Sequence, residues 1–159
     1  MTDAPGDRPT TSATTGSVYG STATHATTMA HPVRRRDPLF GALTGLTALV
    51  VLLQFVFAGM FLRYDGKRDA SSSWIDAHAM GAHVATVLAF ITAVYAVVRL
   101  RDRKDLLLGS IVLFVLFLAE SYIGGAIRDD GKDSWTAVHV PIAFLLTSLV
   151  VWLPLRARK

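Results

Sequence analysis

The sequence predicts an all-α membrane protein, an up-down-up-down bundle of four transmembrane helices built from two repeated hairpins. The chain has 159 residues, of which 52% are hydrophobic, and much of this apolar content lies in long continuous runs. A helix needs about 20 apolar residues to cross a bilayer, and a run of that length satisfies its backbone in lipid only as a helix. Four runs are long enough, at about residues 40–62, 74–98, 106–127 and 135–155.

The first 38 residues differ from the rest of the chain. Nine threonines lie between Thr2 and Thr28, among Ser, Ala, Gly and Pro, and no apolar periodicity is present. Such a segment cannot bury enough apolar surface to offset the entropy that it would lose on ordering. We therefore expect a disordered cytoplasmic tail over residues 1–38 and a transmembrane domain over residues 39–159.

The basic residues predict a multi-pass protein of the cell membrane with both termini in the cytoplasm. Ten of them lie in the three segments on one side of the predicted bundle: Arg34, Arg35, Arg36, Arg99, Arg101, Arg103, Lys104, Arg156, Arg158 and Lys159. Five lie on the other side: Arg63, Lys67, Arg68, Arg128 and Lys132. Cytoplasmic loops carry the excess of Lys and Arg. The net charge of +4 is explained by these loops, so no nucleic-acid partner is expected.

An internal repeat relates the second pair of spans to the first. The tripeptide Asp-Gly-Lys at residues 65–67 recurs at residues 130–132, and the pattern Ser-Trp-x-x-x-His at residues 73–78 recurs at residues 134–139. Two copies with the same orientation imply a pseudo-two-fold axis along the membrane normal.

This symmetry places two histidines at equal depth. His78 and His139 each follow a tryptophan by four residues, which is about 6 Å along a helix. Tryptophans favour the membrane interface, and helices two and four of such a bundle can lie diagonally across its core. The two imidazoles would then point at one central position. Histidine is a standard axial ligand of haem iron, so we predict one non-covalent haem b held by both side chains near the outer face.

Other residues fit the same interpretation. Ala82 and Ala143 lie one turn below the two histidines and, with Gly81, would leave room for a porphyrin ring. Arg63 and Arg128, near the outer helix ends, are candidate partners for haem propionates.

Further polar residues lie within the spans. Glu120 is a costly intramembrane carboxylate, and we expect it to be buried and hydrogen-bonded to Gln54 or Tyr122. His83, about 140° round the helix from His78, is interpreted as a packing or hydrogen-bonding residue, with the role of alternative haem ligand left open.

The arrangement of His78 followed by Gly81 on the second span, with His139 on the fourth, resembles one four-helix half of haem A synthase. Small stand-alone four-helix membrane proteins of unknown function look like the same half-module. The resemblance covers about residues 40–159 and implies two haem-facing histidines at the outer side of the bundle. The glutamate that the family has three residues before the first histidine is Ile75 here, and the family's extracytoplasmic cysteine pair is absent. The resemblance therefore implies a haem-binding bundle and not haem A synthesis.

Three classes of function remain open. The first is a b-type haem protein for electron transfer, haem handling or redox sensing, with the lipid bilayer and a redox partner or quinone as its partners. The second is a cofactor-free bundle that acts as an assembly or regulatory partner, and the third is a metal or small-solute carrier. No catalytic residues are identified, and the absence of cysteine excludes disulfides and covalent haem attachment through thioethers.

The predicted orientation can be tested with single cysteines, because the chain has none of its own. We expect Lys132→Cys to react with a membrane-impermeant maleimide added to intact cells. Arg101→Cys should react only after the membrane has been permeabilised. The opposite pattern of labelling would show that the bundle has the inverted orientation.

Overall fold

The computed structural model describes residues 37–64 and 67–158. The described residues form four α-helices and one short 3-10 helix, and they contain no strand. The helices are α1 (Pro38–Leu62), α2 (Arg68–Arg99), α3 (Lys104–Asp130) and α4 (Thr136–Ala157), and the 3-10 helix at Asp133–Trp135 precedes α4. Each of the four is long and apolar enough to cross a membrane. The predicted all-α chain with four candidate membrane spans is therefore confirmed. Residues 1–36 of the predicted disordered tail lie outside the described residues, whereas Asp37 and Pro38, which the prediction included in the tail, form the start of α1.

Capping residues explain where two of the helices begin or end. Asp37 caps α1, where its carboxylate accepts a hydrogen bond from the Phe40 amide at 3.0 Å and Pro38 occupies the first position. Gly131 ends α3 with a φ of 67°, a left-handed conformation that glycine adopts without steric cost. The second copy of the Asp-Gly-Lys repeat is thus a helix end, while the first copy lies partly outside the described residues.

Helix α2 begins six residues before the span that the sequence predicts. Residues 68–73, interpreted from the sequence as a loop, form its first turns. Ser71 donates a hydrogen bond to the Lys67 carbonyl at 3.0 Å, and Arg68 donates to the Arg128 carbonyl at the end of α3 at 3.1 Å. These contacts extend the helix beyond its apolar part, which is a feature that hydropathy does not detect.

The four helices surround a common core in a closed order. Helix α1 packs against α2 and α4, and α3 packs against the same two helices. Within the described residues, α2 and α4 lie on one diagonal and α1 and α3 on the other. Side chains link the ends of neighbouring helices: the Tyr95 hydroxyl donates to the Asp37 carboxylate at 2.8 Å, and the Arg156 guanidinium donates to Asp105 at 2.7 Å.

One half of the bundle has a tightly packed core to which α2 contributes alanines, and we call it the alanine half. Ala85, Ala89 and Ala96 of α2 are completely buried there. They lie among further fully or almost fully buried residues of the other helices, including Thr44, Thr47, Ser110, Leu113, Val150 and Leu153. Small side chains allow membrane helices to approach closely.

The other half contains His78 and His139, and we call it the histidine half. Residues 52–62 of α1, 72–84 of α2 and 136–145 of α4 include no buried side chain. The buried residues here come mainly from α3, among them Glu120, Ile123 and Ala126, and one more is Ser71 in the first turn of α2. The side chains around the two histidines are therefore packed less tightly than those in the alanine half.

Candidate functional site

The structure brings His78 and His139 together, although their helices lie on a diagonal of the bundle. Their ring centroids are 6.4 Å apart and their ring planes cross at 69°. An imidazole nitrogen binds a transition metal at about 2.0 Å, so two imidazoles that share one ion from opposite sides have centroids about 6 Å apart. The separation in this bundle is thus close to that of two ligands of a single metal ion.

Each imidazole has its Nδ1 atom occupied by a neighbouring helix. The Nδ1 atom of His78 lies 3.2 Å from the Gln54 carbonyl oxygen of α1. The Nδ1 atom of His139 is in contact with the Glu120 carboxylate of α3. A ring that donates its Nδ1–H to an oxygen keeps a lone pair on Nε2. Nε2 is therefore the atom of each histidine that remains available for a ligand.

Glu120 is buried, with 7% of its surface exposed, and its partner is His139. Apart from this contact, the two carboxylate oxygens have no hydrogen-bond partner among the described residues. The expected partners of Glu120 were Gln54 and Tyr122, and neither is hydrogen-bonded to it in the described residues. Tyr122 is instead 68% exposed and packs against the Trp135 ring. Glu120 and His139 lie on different helices, and the relative rotation of two helices cannot be read from their sequences.

The space beside Gly81 is filled by a side chain of α1. A Cβ atom at Gly81 would collide with the Gln54 amide nitrogen, so this glycine allows α1 and α2 to pack with Gln54 between them. The Gln54 amide nitrogen donates to the Val50 carbonyl at 3.5 Å, and its buried oxygen has no partner in the described residues. The room predicted beside His78 is therefore partly occupied.

The remaining residues around the pair are small or aromatic. Gly124 faces His139, because a Cβ atom at this glycine would lie 3.5 Å from the imidazole Cε1. Ala82 and Ala143 are half-buried one turn below the histidines. Phe61 approaches His78 edge-on, with a centroid distance of 5.6 Å and an angle of 86°. Phe61 was not identified from the sequence, because one aromatic residue within an apolar span carries no distinguishing signal.

The two predicted propionate partners, Arg63 and Arg128, have neighbours other than the histidine pair. Arg63 is exposed and lies over the ring of its neighbour Tyr64, 5.8 Å from the ring centroid. Arg128 pairs with Asp129 at 2.7 Å and, with Arg68, lines an open cavity of about 360 Å³ between α2 and α3. The role of Arg63 and Arg128 toward propionates stays a prediction.

His83 does not belong to this cluster. Its side chain is exposed, and its Nδ1 atom lies 2.7 Å from the Ala79 carbonyl oxygen of the same helix. The described residues contain no group of three or more His, Asp or Glu side chains arranged to hold a metal ion. The site is thus a pair of imidazoles supported by one carboxylate and one carbonyl.

The contact between Glu120 and His139 has a measurable effect on stability. Glu120→Leu leaves the buried Nδ1 atom without a partner, so we expect the free energy of unfolding to fall by about 1–3 kcal/mol. Glu120→Gln keeps an acceptor oxygen, so its free energy of unfolding should fall by less than that of Glu120→Leu. Titration with sodium dodecyl sulfate in micelles, followed by circular dichroism, gives these energies. Asp129→Leu, at an exposed carboxylate of the same helix, is the matched control, and an equal loss in Glu120→Leu and the control would contradict the assignment.

Comparison of the chain with protein-family models, with curated proteins and with solved structures gives no match to any of them. The chemistry of the site is therefore the basis for a functional proposal.

Proposed function

We propose that the chain is a small multi-pass protein of the cell membrane that binds one haem b between His78 and His139. It would use the haem for electron transfer, haem handling or redox sensing. The observation that carries this proposal is the pair of imidazoles with centroids 6.4 Å apart, each with its Nδ1 atom occupied. The resemblance to one half of haem A synthase points to the same cofactor.

The number of ligands favours haem over an isolated metal ion. Zinc sites in proteins use three or four protein ligands, and no such group is found among the described residues. A porphyrin supplies four nitrogens itself and needs the protein only at the axial positions, where histidine is a common ligand. Two histidines are therefore a sufficient protein ligand set for haem.

Residues behind the histidines would hold the two rings in place. Metal-bound histidines almost always donate their second N–H to a carboxylate or a backbone carbonyl, which fixes the tautomer and the ring orientation. Glu120 occupies this position for His139, and the Gln54 carbonyl occupies it for His78. When bound, haem would supply one-electron chemistry, while the chain would set ligand orientation and basicity.

The packing of the bundle indicates where a ring would be held. The alanine half is closed by completely buried side chains, among them Ala85, Ala89 and Thr92. In the histidine half, residues 52–62 of α1, 72–84 of α2 and 136–145 of α4 present half-buried or exposed side chains. We propose that the ring lies there, with Arg63 and Arg128 toward its propionates.

The same proposal includes the topology. The contacts of Tyr95 with Asp37 and of Arg156 with Asp105 support an up-down-up-down order of helices. With both termini in the cytoplasm, the histidine half would lie toward the outer face. The haem would then be close to partners outside the cell.

A cofactor-free bundle is the second candidate. It is favoured by the side chains that occupy the space around the imidazole pair. Gln54 lies against Gly81, and Phe61 lies against His78. In that case the imidazole pair and Glu120 would form a structural polar cluster. The carrier class is less favoured, because a transport pathway needs several intramembrane charges and Glu120 is the one buried charged residue among those described.

Absorption spectra of the purified protein distinguish these candidates. After expression with an adequate haem supply, we expect a Soret band and a low-spin ferric spectrum, because nitrogen would fill both axial positions. His78→Ala and His139→Ala should each lose the haem or convert it to a high-spin form.

His83→Ala tests the alternative ligand. We expect its spectrum to match the wild type, because His83 lies outside the cluster. A high-spin spectrum in His83→Ala together with an unchanged spectrum in His78→Ala would make His83 the haem ligand in place of His78. A wild-type protein without any Soret band would favour the cofactor-free bundle.

A further inference from the structure

Gln54 carries the single side-chain amide of the chain, whose sequence has no other glutamine and no asparagine. It projects from α1 toward α2, where Gly81 leaves the space that the amide fills. A Cβ atom at Gly81 would collide with the amide nitrogen and would lie 3.0 Å from the Cδ atom. The backbone carbonyl of Gln54 also contacts the Nδ1 atom of His78, at 3.2 Å. The amide therefore lies close to one of the two proposed haem ligands.

Few interactions hold the amide in this position. Its nitrogen donates to the Val50 carbonyl at 3.5 Å, whereas N–H···O bonds in proteins are about 2.9–3.0 Å long. Its oxygen is buried and has no hydrogen-bond partner among the described residues. A buried acceptor without a donor costs free energy, and such an atom in a folded protein requires an explanation. The position beside Gly81 is thus an unfavourable one for a polar side chain.

The surroundings allow the Gln54 side chain to change its rotamer. Gln54 is half-buried, and its neighbours Leu53 and Phe55 are exposed. Residues 52–62 of α1 and 72–84 of α2 include no buried side chain. In another rotamer the amide nitrogen can still bond to carbonyls of α1, while the amide oxygen has no bond to lose. Movement of the side chain away from Gly81 therefore costs little hydrogen bonding.

We propose that Gln54 closes the haem site of the ligand-free chain and turns away from Gly81 when a porphyrin ring binds. This inference rests on the proposed function, and it names the side chain that has to move for the ring to fit beside His78. The unpaired oxygen is then explained, because a side chain that must leave is held only weakly. The occupied space, which otherwise favours a cofactor-free bundle, becomes the closed state of a binding site.

The closed position of Gln54 lowers the apparent affinity of the site for haem. A ligand that binds only one of two conformations has its affinity reduced by the fraction of molecules in that conformation. Gln54→Ala removes the closing side chain, so the open arrangement is present in every molecule. Gln54→Leu keeps a large side chain in the space and removes the unpaired oxygen, so the closed arrangement becomes more stable.

Titration with hemin tests the proposal. The full-length chain is purified without haem, placed in nanodiscs and titrated with hemin while the Soret band is recorded. We expect Gln54→Ala to bind hemin about tenfold more tightly than the wild type, the factor for a site that is open about a tenth of the time. Gln54→Leu should bind hemin more weakly than the wild type. Leu53→Ala, at an exposed neighbour, is the matched control and should have the affinity of the wild type.

The single side-chain amide allows a second measurement, by nuclear magnetic resonance with isotope-labelled glutamine. In the ligand-free chain we expect nuclear Overhauser effects between the amide protons of Gln54 and the α-protons of Gly81. After loading with haem and reduction to the diamagnetic low-spin ferrous form, these effects should disappear. A glutamine that only fills the interface between α1 and α2 would keep them.

The results separate this inference from the proposed function. Equal hemin affinities of the wild type and Gln54→Ala, or Overhauser effects that persist in the haem-loaded chain, would overturn the inference and leave the proposed function intact. Binding of hemin by Gln54→Ala and not by the wild type would support the inference, because the closed position would then exclude the ring. No binding of hemin by any of the four proteins would overturn the proposed function and this inference together.

Discussion

The arrangement of the site depends on the cost of burying a carboxylate between apolar helices. Glu120 is buried on α3, and its contact is the imidazole of His139 on α4. A carboxylate in this position is stable only with a partner, because unpaired charges in hydrocarbon are costly. The contact fixes the rotation of α4 against α3 and holds the His139 ring 6.4 Å from that of His78. One unfavourable group therefore sets the geometry of the imidazole pair.

The two halves of the bundle have complementary physical roles. In the alanine half, small side chains such as Ala85, Ala89 and Thr92 are completely buried and allow the helices to pack closely. Buried hydroxyls there donate to carbonyls of their own helix, as Thr92 does to Leu88 at 2.7 Å. In the histidine half, aromatic and polar side chains make contacts between helices: Phe61 with His78, Gln54 with Gly81, and Glu120 with His139. A tightly packed half thus adjoins a half that is less tightly packed, and in helical bundles ligand sites are built from side chains on facing helices.

Much of the fold follows from the sequence, because four long apolar runs can be little else than membrane helices. The common depth of His78 and His139 follows from the repeated Ser-Trp-x-x-x-His pattern, and the structure brings these two side chains together. The contact of Glu120 with His139 does not follow, because it depends on how two helices are rotated about their axes. The packing of Gln54 against Gly81 is missed for the same reason. The early start of α2 is missed because Ser71 and Arg68 stabilise it through polar contacts rather than apolar periodicity.

Electron paramagnetic resonance of the oxidised protein tests the central claim, a haem shared by His78 and His139, most directly. The planes of the two imidazoles cross at 69°. Ferric haem between two strongly crossed imidazoles gives a low-spin signal with large anisotropy, because the two rings do not reinforce one orientation of the iron orbitals. We expect this signal in the wild type in nanodiscs and its loss in His139→Ala. A high-spin signal in the wild type, a low-spin signal that survives His139→Ala, or the absence of any haem signal would contradict the account.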